Sequence, residues 1–137
     1  EVRRLFNPWF GLALFGSLAY AVILLGAARY SLRGAEYWPP VIAISLLNSL
    51  AEEVFFRLAL FRLLQASGLG LAAALASQAA LYALIHLAVG GPLFFVLSFI
   101  YGAVLGMVFE RTRSVLPCVI CHFIIDLGVI GLPMLMY

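Results

Sequence analysis

Apolar runs long enough to cross a bilayer recur along almost the whole chain, from "WFGLALFGSLAYAVILLGAA" at residues 9–28 to "LPCVICHFIIDLGVIGLPMLMY" at 116–137. About 20 apolar residues traverse the hydrocarbon core as a helix. With no water there to satisfy the backbone, only helices and closed barrels can span it. The runs are continuous rather than alternating, which selects helices. Composition agrees: 66% of the 137 residues are hydrophobic and 10% charged, against roughly 25% charged in a soluble domain. Breaks in the pattern divide the chain into about five spans, near 5–28, 39–65, 70–89, 93–110 and 115–137. The fold expected is an all-α polytopic transmembrane bundle in one domain over residues 1–137, without repeat or linker. The first run is too long for a signal peptide and has no clear small-residue cleavage site, so it is expected to stay. A chain that opens on Glu1 without methionine is expected to lack upstream residues, which would hold further spans.

The loop "RYSLRGAEYWPP" joins the first two spans; its Tyr37 and Trp38 suit a membrane interface and its paired prolines a helix start. "GGP" at 90–92 is expected to break the chain between spans three and four. The net charge of +2 rests on eight arginines and no lysine, scattered rather than clustered, so no nucleic-acid partner is expected. Arg3, Arg4, Arg62, Arg111 and Arg113 fall on one side of such a bundle and Arg29 and Arg33 on the other. The imbalance predicts a cytoplasmic N-terminus for a multi-pass protein of the plasma or inner membrane. Cys118 and Cys121 have metal-like spacing, but in an apolar helix they read as small packing residues.

Against this background the stretch "NSLAEEVFFRLALF" at 48–61 is costly, since Glu52, Glu53 and Arg57 lie in the middle of a span. Each ionisable group at the bilayer centre costs about 2.5 to 3.5 kcal/mol on insertion scales. Glu53 and Arg57 are four apart with the acid first, a favourable helical pair. Glu52, about 100° round the helix, has no partner on its own helix and is expected to face a cavity, on a stripe with Ser45, Asn48 and Ser49. Both histidines also lie within spans. Gln78, Tyr82 and His86 recur every four residues in "SQAALYALIHL", and His122 and Asp126 are four apart in "CHFIID". Ser98, Gly102 and Gly106 of span four read as a small-residue packing ridge.

Three helices that each turn a polar stripe inward make a polar cavity within the membrane. Its inventory suits hydrolysis: Glu52 as general base on a water, His86 holding that water or sharing its proton, His122 donating to the oxyanion. No serine or cysteine has an evident histidine partner, so a covalent nucleophile is not expected.

At these residues the chain resembles a known family. "EEVFFR" matches E-E-x-x-x-R, "YALIH" matches aromatic-x-x-x-H and "HFIID" matches H-x-x-x-N/D, in the order found in the CAAX prenyl endopeptidase and bacteriocin-processing family, glutamic intramembrane proteases related to the Ras-converting enzyme. The motif core covers about 39–127. The resemblance implies a membrane-embedded endopeptidase with Glu52 as base, His86, Glu53 and Arg57 as supports, and His122 with Asp126 at the oxyanion. Two positions depart: Tyr82 stands where phenylalanine is common, and Asp126 where the eukaryotic prenyl proteases have asparagine. An ionised Asp126 accepts hydrogen bonds only, so it either orients His122 or is protonated. The implied substrates are peptides or proteins at the bilayer: prenylated C-termini, secreted precursors such as bacteriocins, or C-terminal sorting tails, the prenylated class being the least expected for so short a chain. No cofactor is expected. The competing readings are a zinc metalloprotease built on His86, His122 and a carboxylate, and a non-enzymatic bacteriocin-immunity or scaffold protein.

Counting helical rise from the span ends puts Glu52 roughly 10 Å and His122 roughly 12 Å below one face, but His86 roughly 24 Å. Span three is therefore displaced, tilted or broken near Gly90, or His86 reaches the site from below.

Overall fold

The computed structural model describes residues 7–27 and 38–131. Arg3, Arg4, Arg29, Arg33 and Tyr37, with most of the first loop and the last turns of the expected fifth span, lie outside the described residues.

Helices carry all the regular structure described, with no strand among the described residues. Helix α1 is Pro8–Ala27, opened by Asn7, whose Oδ1 accepts from the backbone N–H of Phe10 at 3.0 Å. Helix α2 is Trp38–Glu53, with Pro39 and Pro40 in its first turn, where their missing N–H groups cost nothing. It runs without interruption into a π-helical segment, Val54–Phe61, and then the short α3, Arg62–Ala66. Gly68, at φ 91°, ends this rod in a conformation that other residues rarely adopt. Helix α4, Leu71–Thr112, is a rod broken at Gly91 (φ 69°, ψ −164°) just before Pro92, and it ends at Arg113 in the left-handed region. Helix α5 is Leu116–Asp126, followed by a second π segment, Leu127–Gly131.

The break at Gly91 folds α4 into a hairpin of two packed arms. A Cβ on Gly102 would lie 3.0 Å from Tyr82 Cδ1 and 3.3 Å from Ala79 Cα, and one on Gly106 would lie 2.7 Å from Leu75 Cδ2. Gln78 Nε2 donates across the same seam to the Gly102 carbonyl at 2.8 Å. The small residues expected to form a packing ridge thus seat the second arm on the first.

Among the described residues, Leu71–Thr112 is the one helical stretch long and apolar enough to cross a membrane, with shorter apolar stretches at Pro8–Leu24 and Leu116–Ile130. That is fewer than the five spans expected, and the reasons are local. The second expected span is one continuous rod whose helical type changes at Val54 and Arg62, the third and fourth are the two arms on either side of Gly91, and the first and fifth are described only in part. Large apolar side chains nevertheless point outward on every long helix, among them Phe15, Leu47, Leu63, Val89 and Leu93.

Helix α5 sits centrally, against α2 and α1 most extensively. Phe61, Ala74, Leu105, Phe109, Cys118 and Cys121 form the core beneath the 67–70 turn. Both cysteines are free and buried there, and Cys118 Sγ donates to the Leu105 carbonyl at 3.3 Å, consistent with their reading as packing residues.

Candidate active site

Along the second rod, Val41, Ser45, Ser49, Glu53, Arg57 and Phe61 are all fully buried, each four residues after the last. In an α-helix a step of four overshoots a full turn by about 40°, so such a stripe would wind off the interior face. In the π segment bonding runs i→i+5 and a turn holds more residues, so a step of four falls short of a turn and the drift reverses. The π segment therefore keeps Arg57 and Phe61 facing inward below Glu53. This corrects the stripe expected from the sequence. Ser45 and Ser49 lie on the buried line, but it continues into Glu53 and Arg57, while Asn48 and Glu52 lie at its edge, only partly buried.

Glu53 and Arg57 pair as the spacing predicts. Arg57 Nε lies 2.9 Å from Glu53 Oε2, with both side chains wholly excluded from solvent. The contact is close enough for an ion pair but bent out of hydrogen-bond alignment, and Nη1 and Nη2 of Arg57 have no hydrogen-bond partner. The guanidinium lies over aromatic faces instead, 5.0 Å from the Tyr82 ring centre and 6.0 Å from that of Phe56.

Glu53 has a second partner that no spacing within one helix could reveal. His122 Nδ1 donates to Glu53 Oε1 at 2.7 Å, which fixes the ring. The other ring nitrogen, Nε2, is where the remaining groups converge: Glu52 Oε2 at 3.7 Å, Asp126 Oδ1 at 3.5 Å and the Tyr82 hydroxyl at 3.5 Å. Asp126 is steadied from α2 by Asn48, whose Nδ2 donates to Oδ2 at 3.0 Å. Glu52 Oε2 is buried with no hydrogen-bond partner, a carboxylate oxygen left unsatisfied beside a histidine.

His86 stands apart from this cluster. Its Nδ1 donates to the Tyr82 carbonyl at 2.9 Å and its ring lies against Tyr82 with centres 4.4 Å apart. Among the described residues no ion pair joins it to Glu52. It lies one turn farther than Tyr82 from the 67–70 end and borders the site through the Tyr82 ring. Tyr82 is the residue that sequence reasoning undervalued: buried and touching both histidines, it joins the two polar stripes. Its position four residues before His86 put it on the right face, but its bond to α5 had no signal in the spacing.

A cavity of about 410 Å³ opens onto these rings. His122, Tyr82 and His86 lie in its wall, and the rest is mostly apolar, including Leu12, Tyr20, Phe94 and Tyr101. Glu52 is not among its lining residues and reaches the site only at His122 Nε2. Among the described residues no group of three or more His, Cys, Asp or Glu side chains is arranged to hold a metal ion. The arrangement is one ring nitrogen, fixed from behind by a buried carboxylate, flanked by two further carboxylates and a phenol, at the wall of an apolar chamber.

A family model described as Rce1-like, type II CAAX prenyl endopeptidase, matches residues 34–128, which hold all these groups. No curated protein and no solved structure matches the chain.

Proposed function

The chain belongs to the Rce1-like family of type II CAAX prenyl endopeptidases, a family of membrane-embedded proteases, and from that premise we propose that it hydrolyses a peptide bond at the membrane by direct attack of a water molecule. Glu52 takes a proton from the water as the water oxygen bonds to the scissile carbonyl carbon, and His86 shares that proton or holds the water. His122 donates to the oxygen that becomes negative, with Asp126 beside it. Glu53 and Arg57 hold His122 in place. Collapse of the tetrahedral intermediate breaks the C–N bond, and the proton passes to the leaving amine.

The convergence of Glu52, Asp126 and Tyr82 on His122 Nε2, at the wall of an apolar cavity, is the observation that carries this reading. The apolar chamber suits a prenyl group or another apolar segment of the substrate beside the scissile bond. Secreted precursors such as bacteriocins and C-terminal sorting tails meet the same requirement when their cleavage sites are apolar. The reaction needs no metal in this scheme. His86 and His122 take the roles of proton carrier and oxyanion donor, not those of zinc ligands.

The test reconstitutes the full chain in lipid vesicles and follows cleavage of a prenylated CAAX-type peptide and its unprenylated counterpart, with and without exhaustive EDTA treatment. The chain is expected to cut at least one peptide, to keep that activity after chelation, and to lose it on Glu52→Gln, which is nearly isosteric but takes no proton. Full cleavage by Glu52→Gln, or none by the unaltered chain, rejects the mechanism. Loss on EDTA with recovery on added zinc replaces it with the metalloprotease.

A further inference from the structure

We infer that the Tyr82 hydroxyl is a catalytic hydrogen-bond donor, supplying with His122 the second donor to the oxyanion of the transition state. The inference rests on the protease reading above. It starts from a shortage of donors. Stabilising a tetrahedral oxyanion calls for preorganised donors aimed at one point, and the groups closest to His122 Nε2 are mostly of the wrong kind. Glu52 and Asp126, at 3.7 and 3.5 Å, only accept when ionised. His122 itself has committed its Nδ1–H to Glu53, so a neutral His122 offers a lone pair at Nε2 and donates there only once protonated. Asn48 also carries donors, but its Nδ2 is turned to Asp126 Oδ2 at 3.0 Å and none of the contacts to His122 Nε2 is its own.

The Tyr82 hydroxyl, 3.5 Å from Nε2, is a donor in either state of the histidine. In the resting site it donates to the Nε2 lone pair. When His122 is protonated, Nε2 and the phenol oxygen, 3.5 Å apart, each carry a proton at the cavity wall that both side chains line.

The ring is built to hold that hydroxyl still. Tyr82 is almost fully buried. Phe56 meets it edge-on with centres 5.1 Å apart, His86 lies against it, and the Arg57 guanidinium covers it at 5.0 Å. Gly102 on the other arm of α4 passes so close that any larger residue there would press on its Cδ1. A donor fixed on four sides need not reorganise as charge develops, the property that makes such groups effective. Phenylalanine would satisfy every one of these packing contacts; only the bond to Nε2 requires tyrosine.

Tyr82→Phe isolates the hydroxyl, because the ring, its stacking and the cation over it remain. In the reconstituted assay with whichever of the two peptides is cleaved, kcat is expected to fall roughly 10²- to 10³-fold, the cost of one oxyanion donor, with KM and melting temperature unchanged. An unchanged kcat overturns the proposal, and so does a fall in kcat accompanied by an equal loss of thermal stability, which would make the hydroxyl a structural tie. Glu52→Gln and His122→Ala, run alongside, separate this failure from that of the underlying reading. If they are inactive while Tyr82→Phe is fully active, only the role of Tyr82 is lost; if all three cleave normally, the protease mechanism goes with it.

Discussion

Glu52 and Glu53 are adjacent, yet burial and partners divide them. Glu53 is sealed between Arg57 and His122, while Glu52 keeps about a quarter of its side chain exposed and has one oxygen unsatisfied. Removing Arg57 would leave Glu53 a buried carboxylate with only His122 for a partner, and breaking a buried pair in this way costs about 3 to 5 kcal/mol in comparable cases. His122 remains, so the loss is expected toward the lower end. Arg57→Ala should lower the melting temperature in detergent, Glu53→Gln added to it should recover part of the loss, and Glu52→Gln should leave stability unchanged. Thermal unfolding of the four proteins checks this; an Arg57→Ala protein as stable as the parent would mean the pair does not hold the site together. Glu53→Gln alone is expected to impair cleavage as well, because it weakens the grip on His122 Nδ1. Spacing within one helix made the Glu53–Arg57 pair legible in the sequence. The Glu53–His122 bond was not, because it depends on how two helices 69 residues apart rotate against each other.

At the scale of elements, the break after span three was legible because Gly91 and Pro92 forbid helical continuation in ways that any sequence displays. The π segment was not foreseen, although it left a trace: a buried line at strict intervals of four from Val41 to Phe61 is too long for a 3.6-residue turn to keep on one face. The expected stripe took i+3 as well as i+4 steps and so placed Glu52 beside Ser45, Asn48 and Ser49, whereas the buried line within α2 follows i+4 steps alone to Glu53. The hairpin of α4 carries its own consequence. Gly102 lets the second arm pass 3.0 Å from the Tyr82 ring and 3.3 Å from the Ala79 backbone, counted from where a Cβ would sit. The Ala79 contact gives by only a few tenths of an ångström, and the Tyr82 ring is already wedged by its neighbours. Gly102→Ala is expected to displace the ring and reduce kcat at little cost in melting temperature, since the added methyl is small and the arms remain packed. An active Gly102→Ala enzyme with unaltered kcat would show that the placement of Tyr82 tolerates movement and would weaken the case for its hydroxyl.

Over the whole molecule, two turns and the start of α1 gather at one end. Gln65 Nε2 donates to Glu110 Oε2 at 3.1 Å, which brings the 67–70 turn beside the end of α4, and Trp9 and Phe10 at the start of α1 pack on the same core as Phe61, Leu64 and Phe109. Arg62, Arg111 and Arg113 cluster there, Arg113 paired with Glu110 and Arg62 over the Phe109 ring at 4.9 Å. The break at Gly91 lies at the far end of the α4 arms. Five crossings would need the 67–70 and 113–115 turns on one side and residues 90–92 on the other, and a positive end is expected to face the cytoplasm. Cys118 and Cys121 are buried, so the parent chain should be silent to a membrane-impermeant maleimide and single cysteines can report sides. Ser67→Cys and Ser114→Cys are expected to label only in inside-out vesicles, and Pro92→Cys only in right-side-out ones. Labelling of Ser67→Cys and Ser114→Cys from opposite sides would mean that one arm of α4 does not cross. The bundle would then have fewer spans, and one of the two packed arms that seat Tyr82 and His86 would be lodged within the membrane rather than traversing it.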